Sequence, residues 1–302
     1  MKLFKNTLSN IQILEPFTYE EVSRVFTEAS KEKRKISVRG LDSNRLKMDA
    51  DEVLSLRNIK GILEFSEADQ YVKVRAGTSF EELQSFLFSK GYMIPHMYWG
   101  SVGGLFSLNL PSPYSTWFGL PKDILLGATI STGLGEIIRS GGVTTKFSSG
   151  YKIWKVLSGS LGKLGVYLDV TIKVIKRPES IKVVKVDPKD SFKLAVSGKR
   201  PWGVICDSLS EEIQCYAVFG GFKDAVNEVT RDYSESTKGM PFLKSTFILN
   251  SRLGDELTLL SRVRGLAFLG TGTILADREV PLRLTRSFEI LKKALDPASV
   301  LV

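Results

Sequence analysis

The sequence predicts an α+β fold in two parts: a larger first part, residues 1–178, and a smaller α+β part, residues 179–302. Three observations carry that prediction. In the first part, helix-capping signals followed by apolar residues at helical spacing alternate with short period-two segments. One strand is strictly regular: Val166, Leu168, Val170, Ile172 and Val174 interleave with Tyr167, Asp169, Thr171 and Lys173, so one face reads as apolar and the other as polar. Beyond Pro178 the texture changes to strands with a single well-marked amphipathic helix.

Taken in order, Thr18 and Glu21 form a capping box ahead of Val22, Val25, Phe26 and Ala29, which share one helical face, and the strand "ISVRG" follows. "DEVLSLRNIKGILEF" reads as short strands. "YVKVRAG" is another, after which Thr78 and Glu81 form a second capping box before Leu83, Phe86 and Leu87. "ILLGATI" and "EIIRS" are strands joined in a hairpin-like turn at "STGLG". In the second part, "SIKVVKV", "WGVICDSL" and "IQCYAVFG" are strands, and "FKDAVNEVTRDY" places Phe222, Ala225, Val226 and Val229 on one helical face. A last helix stops at Asp296 before Pro297 and returns toward the first part.

Composition narrows the class. With 43% hydrophobic residues and no apolar run of membrane-spanning length, the chain reads as a globular protein of the cytoplasm. Its two cysteines, Cys206 and Cys215, are too few for a disulfide framework and lack metal-ligand spacing; they read as small buried side chains, and no metal site is expected. The net charge of +9 suits an anionic ligand or partner. Nucleic acid is disfavoured, because the densest basic run, "KEKRK" from Lys31 to Lys35, ends a helix and has no interleaved aromatic residues to stack on bases.

Three segments combine glycine or small polar residues with the ends of strands or helices: "VRGLDSN", "GSVGGLFS" and "GSLGKLGV". Such loops bring backbone N–H groups close to a diphosphate, or simply turn the chain; Gly159, Gly162 and Gly165 suit either purpose. Neither GxGxxG after a first strand nor GxxxxGK[ST] is present, so a Rossmann fingerprint and a Walker loop are both excluded.

The order of segments resembles the FAD-binding domain of the PCMH type, shared by p-cresol methylhydroxylase, vanillyl-alcohol oxidase and D-lactate dehydrogenases. The succession is "VKVRAGTSFEELQSFLFSKGYMIP", "GSVGGLFSLN", "WFGLPKDILLGATI", "GGVTTKFSSGYKIWKVLSGSLGKLGV" and "TIKVIKRP". Among members of that family it looks most like the FAD-binding subunit of glycolate oxidase. The resemblance implies FAD as a non-covalent cofactor, since the first loop has no attachment histidine. It places Ser101, Val102, Gly103 and Gly104 at the pyrophosphate, with Ser107 near by, and Gly162, Gly165 and the backbone of Val166 against the flavin. Arg39, Gly40, Leu41, Asp42, Ser43 and Asn44 stand in the first cofactor loop, and Gly119 is counted with them. Leu41 and Asp42 replace family glycines, so Asp42 must point away from the diphosphate or accept a ribose hydroxyl.

Oxidising a 2-hydroxy acid needs a hydride acceptor, a base and a cation for the carboxylate. Flavin supplies the first. His96, the one histidine, is the candidate base, and Arg262 and Arg264 are candidate carboxylate partners. With so few catalytic groups, the expected function is the FAD-binding subunit of a glycolate-oxidase-like complex, passing electrons to a partner. Two alternatives are a self-sufficient FAD-dependent oxidoreductase and a degenerate FAD fold serving as a scaffold subunit. The implied partners are a second flavoprotein subunit, an iron–sulfur subunit and a small 2-hydroxy acid, with membrane association through those partners. Tyr98, Trp99, Tyr114, Trp117 and Phe118 form the candidate interface patch.

Overall fold

The computed structural model describes residues 4–5, 11–41, 49–143, 152–237, 239–241, 243, 247–278 and 285–302. Its first helix, Tyr19–Glu32, starts where the capping signal lies. Thr18 Oγ1 accepts the Glu21 N–H at 3.2 Å, and the Glu21 carboxylate accepts the Phe17 N–H at 2.7 Å. Val22, Val25, Phe26 and Ala29 are buried against Leu14, Ile36, Leu54 and, from the far end of the chain, Val300 and Leu301. The strands under this helix, Gln12–Leu14, Glu52–Ser55 and Ile36–Arg39, pair in parallel.

Beside them stands an antiparallel sheet in the order Ile62–Ser66, Tyr71–Arg75, Val166–Lys173, Leu125–Ser131, Ile137–Gly141. Its central strand differs from the expected half-polar one, because Tyr167, Asp169 and Thr171 are buried as well. Elements cover both of its faces, and the polar groups find partners: Tyr167 Oη donates to the Trp154 carbonyl at 2.5 Å, while Asp169 accepts from Tyr19 Oη at 3.0 Å and faces Lys73 Nζ at 3.7 Å. A register shift between Tyr167 and Asp169 hands the strand from one core to another: Val166 and Leu168 pack with the first helix, and Tyr167, Val170 and Ile172 pack in the larger core.

The helix Phe80–Ser89 is capped by Ser79, whose hydroxyl accepts the Glu82 N–H, one residue later than expected. Thr78 is buried and turned to the strands, where its hydroxyl accepts the Gly61 N–H at 2.9 Å.

The rest of the chain builds an antiparallel sheet in the order Ser180–Val186, Gln214–Gly221, Gly203–Asp207, Gly265–Phe268, Thr273–Ala276, Phe247–Asn250. Here Cys206 and Cys215 are register partners on adjacent strands, with Cα atoms 4.1 Å apart, and form a disulfide. The two thiols expected from composition are thus one covalent cross-link, buried as anticipated. In the helix Lys223–Thr230 only Val226 and Thr230 are fully buried; Phe222 caps the helix and is 75% exposed, outside the apolar face assigned to it. Glu256 is buried, and its carboxylate accepts three backbone N–H groups, from Gly254, Gly270 and Gly272.

Segment 112–118 ties the two parts together. Trp117 N–H donates to the Trp202 carbonyl, and the Thr116 hydroxyl accepts from Val204 N–H and donates to the Leu269 carbonyl. The final helix, Arg286–Leu295, leads to a tail that pairs Leu301 with Ile36.

Candidate functional site

A cleft of about 700 Å³, part of it open to solvent, lies where the parallel strands, the helix Val102–Leu108 and the glycine loop before Val166 converge. Arg39, Gly40 and Leu41 form one wall; Ser101, Gly103, Gly104 and Ser107 form the second; Leu161, Gly162, Gly165 and Val166 form the third. Tyr98 and Tyr167 add aromatic surface, and Arg39 is the one charged side chain lining it among the described residues. Burial raises the Tyr167 phenol, so it stays protonated.

The glycines here have separate reasons. Gly162 takes φ +81°, and a Cβ on it would meet nothing nearer than Val38 at 4.0 Å, so it turns the loop and leaves the cleft open. A Cβ on Gly103 would sit 2.9 Å from Ala76 Cβ, which makes that glycine a close contact between helix and strand. On Gly104 it would reach 2.7 Å from Tyr98 Oη, inside the cleft. The hydroxyl of Ser101 caps the helix by accepting the Gly104 N–H at 3.2 Å. Other amides of this loop are already engaged: Val102 N–H donates to the Thr78 carbonyl at 2.9 Å and Gly103 N–H to the Ala76 carbonyl at 2.7 Å. The polar side chains lining the cleft are Ser101, Ser107, Tyr98, Tyr167 and Arg39.

Of the residues expected at the cofactor, Arg39, Gly40, Leu41, Ser101, Gly103, Gly104, Ser107, Gly162, Gly165 and Val166 come together in this cleft. Val102 turns into the core, and Gly119 ends a short helix against Asp123, away from the lining. Asp42, Ser43 and Asn44 lie outside the described residues.

A second cleft, about 1360 Å³ by the same measure, shares Tyr98 as a common wall and is lined further by Phe80, Phe88, Met93, Met97, Trp99 and Arg177. His96 borders it but is only 2% exposed. Its Nδ1 sits 3.0 Å from the Met97 carbonyl, and Nε2 is sealed without a hydrogen-bond partner. Burial pushes the ring down to about 4, so it is neutral at physiological pH. Arg262 and Arg264 line neither cleft, and Arg264 pairs with Asp277 at 3.4 Å. In the aromatic patch, Trp99 and Trp117 are exposed, whereas Tyr114 is buried and Phe118 half-buried, both edge-on to Trp202.

Such a site, with small residues against strand ends, one cation and several hydroxyls, suits an extended anionic cofactor. Residues 11–141 match the family model described as FAD binding domain. That stretch, under half of the chain, is similar to an FAD-binding domain. The chain is similar to glycolate oxidase subunit GlcE of Escherichia coli (strain K12), with 31% identity over 134 residues, covering 43% of this chain and 38% of that one. Against glycolate oxidase subunit GlcD of Bacillus subtilis (strain 168) it is 26% identical over 180 residues, 57% of this chain and 38% of the relative. The matches thus span well under half the length of these relatives. Among solved structures, alkyldihydroxyacetonephosphate synthase aligns over 96% of this chain and 75% of its own, with a TM-score of 0.66 and 14% identity, which supports the fold. Among the described residues no helix is long and apolar enough to cross a membrane.

Proposed function

We propose that the chain is an FAD-dependent 2-hydroxy-acid oxidoreductase acting as the FAD-binding subunit of a glycolate-oxidase-like complex. The observation that carries this reading is the convergence of Arg39, Ser101, Gly104, Ser107 and Gly162 on one cleft in a chain whose residues 11–141 are similar to an FAD-binding domain. Arg39 would face the diphosphate, the Ser101 and Ser107 hydroxyls would donate to its oxygens, and Gly162 and Gly165 would let the backbone lie against the ring system. Residues 1–178 then form the cofactor part, and 179–302 a substrate or cover part whose last helix returns to it.

Oxidation of a 2-hydroxy acid to the 2-oxo acid removes two electrons and two protons, and FAD, when bound, supplies the acceptor for the hydride. The chain's own residues orient that cofactor and exclude water from it. Where the hydroxyl proton goes is the weaker part of the site, because His96 is sealed and neutral with a depressed pKa. This favours the subunit reading over a self-sufficient enzyme. Both cysteines are tied to each other and so do not serve as cluster ligands, which favours onward transfer through a partner carrying an iron–sulfur centre, alongside a second flavoprotein subunit. Exposed Trp99 and Trp117 are the parts of the aromatic patch available for that contact.

The test is anaerobic addition of glycolate or D-lactate to the FAD-loaded chain, alone and after reconstitution with candidate partner subunits. Flavin bleaching that needs the partner supports the reading. Rapid bleaching of the isolated chain that is lost in His96→Ala favours the self-sufficient enzyme instead.

A further inference from the structure

The C-terminal tail closes a hydrogen-bond knot behind the cofactor cleft. Lys292, near the end of the last helix, places Nζ 2.8 Å from the Lys163 carbonyl, 2.5 Å from Asp296 Oδ2 and 2.5 Å from the Leu301 carbonyl. An ammonium has three donors, and all three are used. Asp296 is 1% exposed and accepts the Val300 and Leu301 N–H groups at 2.9 Å each, so the carboxylate shapes the turn that returns the tail.

What these contacts join is informative. Lys163 belongs to the loop that presents Leu161, Gly162 and Gly165 to the cleft. Leu301 lies beside Ile36, whose N–H donates to the Val300 carbonyl at 2.7 Å, and Ile36 begins the strand that ends at Arg39. One ammonium thus ties the glycine loop to the strand carrying the opposite wall.

We propose that Lys292 is a positioning residue for the cofactor, holding the glycine loop and the Ile36–Arg39 strand at the separation that FAD requires. This rests on the reading of the cleft as the FAD site. Burial lowers the Lys292 ammonium from its usual value while Asp296 opposes the shift, as expected for a cation held in place by its partners.

FAD affinity and FAD release rate, followed by flavin fluorescence well below the unfolding temperature, test it on wild type, Lys292→Gln and Leu260→Ala. The last is a destabilising control in the C-terminal part. Lys292→Gln should weaken FAD by about ten-fold or more and speed its release, whereas Leu260→Ala should lower the unfolding temperature and leave affinity within about two-fold. Should Lys292→Gln fail to fold, Lys292→Arg and Asp296→Asn keep a charge or an acceptor in place and should each cost about three-fold. A folded Lys292 or Asp296 variant that binds FAD like wild type overturns the proposal. Failure of wild type to bind FAD overturns the cofactor reading instead.

Discussion

The cleft of the first part and the Glu256 turn of the second use polar groups in opposite ways. In the first part, Arg39 and the hydroxyls of Ser101, Ser107 and Tyr98 are turned toward a shared open cleft. In the second, Glu256 is fully enclosed and closes three backbone N–H groups of its own turn, and Cys206 is joined to Cys215 across two strands. Around the cleft, polar groups line open space, whereas in the Glu256 turn they are consumed by the fold, as Tyr167 and Asp169 are in the cleft's own sheet. Stability and cofactor affinity should therefore separate between the two places.

The largest expected effect is on stability. Glu256→Ala strands three N–H groups around a buried site and should cost roughly 4 kcal/mol, read from denaturant unfolding, with FAD affinity of the folded protein unchanged. A parallel loss of affinity would show that the second part also shapes the cleft.

Next is His96, at the seam. Its folded pKa is depressed to about 4 from 6.5, so as pH falls through 6.5 the unfolded chain takes up a proton that the folded one refuses. Stability should fall by up to about 3 kcal/mol between pH 6.5 and 4 and level off below. Because it is the sole histidine, His96→Leu should flatten that part of the profile, apart from carboxylate effects at the acid end. An unaltered slope in the variant would mean the ring is accessible.

The smallest change should appear in the first part. Arg39→Ala should weaken FAD by about 2 kcal/mol, roughly thirty-fold, more at low salt than at high, with little change in unfolding. Equal loss of stability would mean that Arg39 serves the fold.

Much of the first part could be read from residue order. Periodicity placed the Thr18 cap, the Val22–Ala29 face and the strands around "GSLGKLGV", because each is a local preference reinforced by packing. The cleft was legible through glycines, yet two of its features were not. Val102 and Gly103 spend their N–H groups on Thr78 and Ala76, a long-range pairing that no local pattern reveals. The buried polar side of Val166–Lys173 also escaped, since Tyr19, Lys73 and Trp154, which satisfy it, are distant in sequence. In the second part the Cys206–Cys215 link depended on antiparallel register, and the Glu256 clamp on a turn closing over it; composition alone carries neither. Lys292 reads as one of two adjacent lysines at a helix end, and only the returning tail distinguishes it from exposed Lys293.

FAD titration of the purified chain, compared with Gly104→Asp, tests the central claim most directly. The variant places a carboxylate beside Tyr98 Oη inside the cleft, where it would repel a dianionic diphosphate. Wild type should take up one FAD that acid precipitation releases, and the variant, equally folded by circular dichroism, should take up none at concentrations that saturate wild type. Equal flavin uptake by both, or none by wild type at high FAD, would contradict the assignment of this cleft.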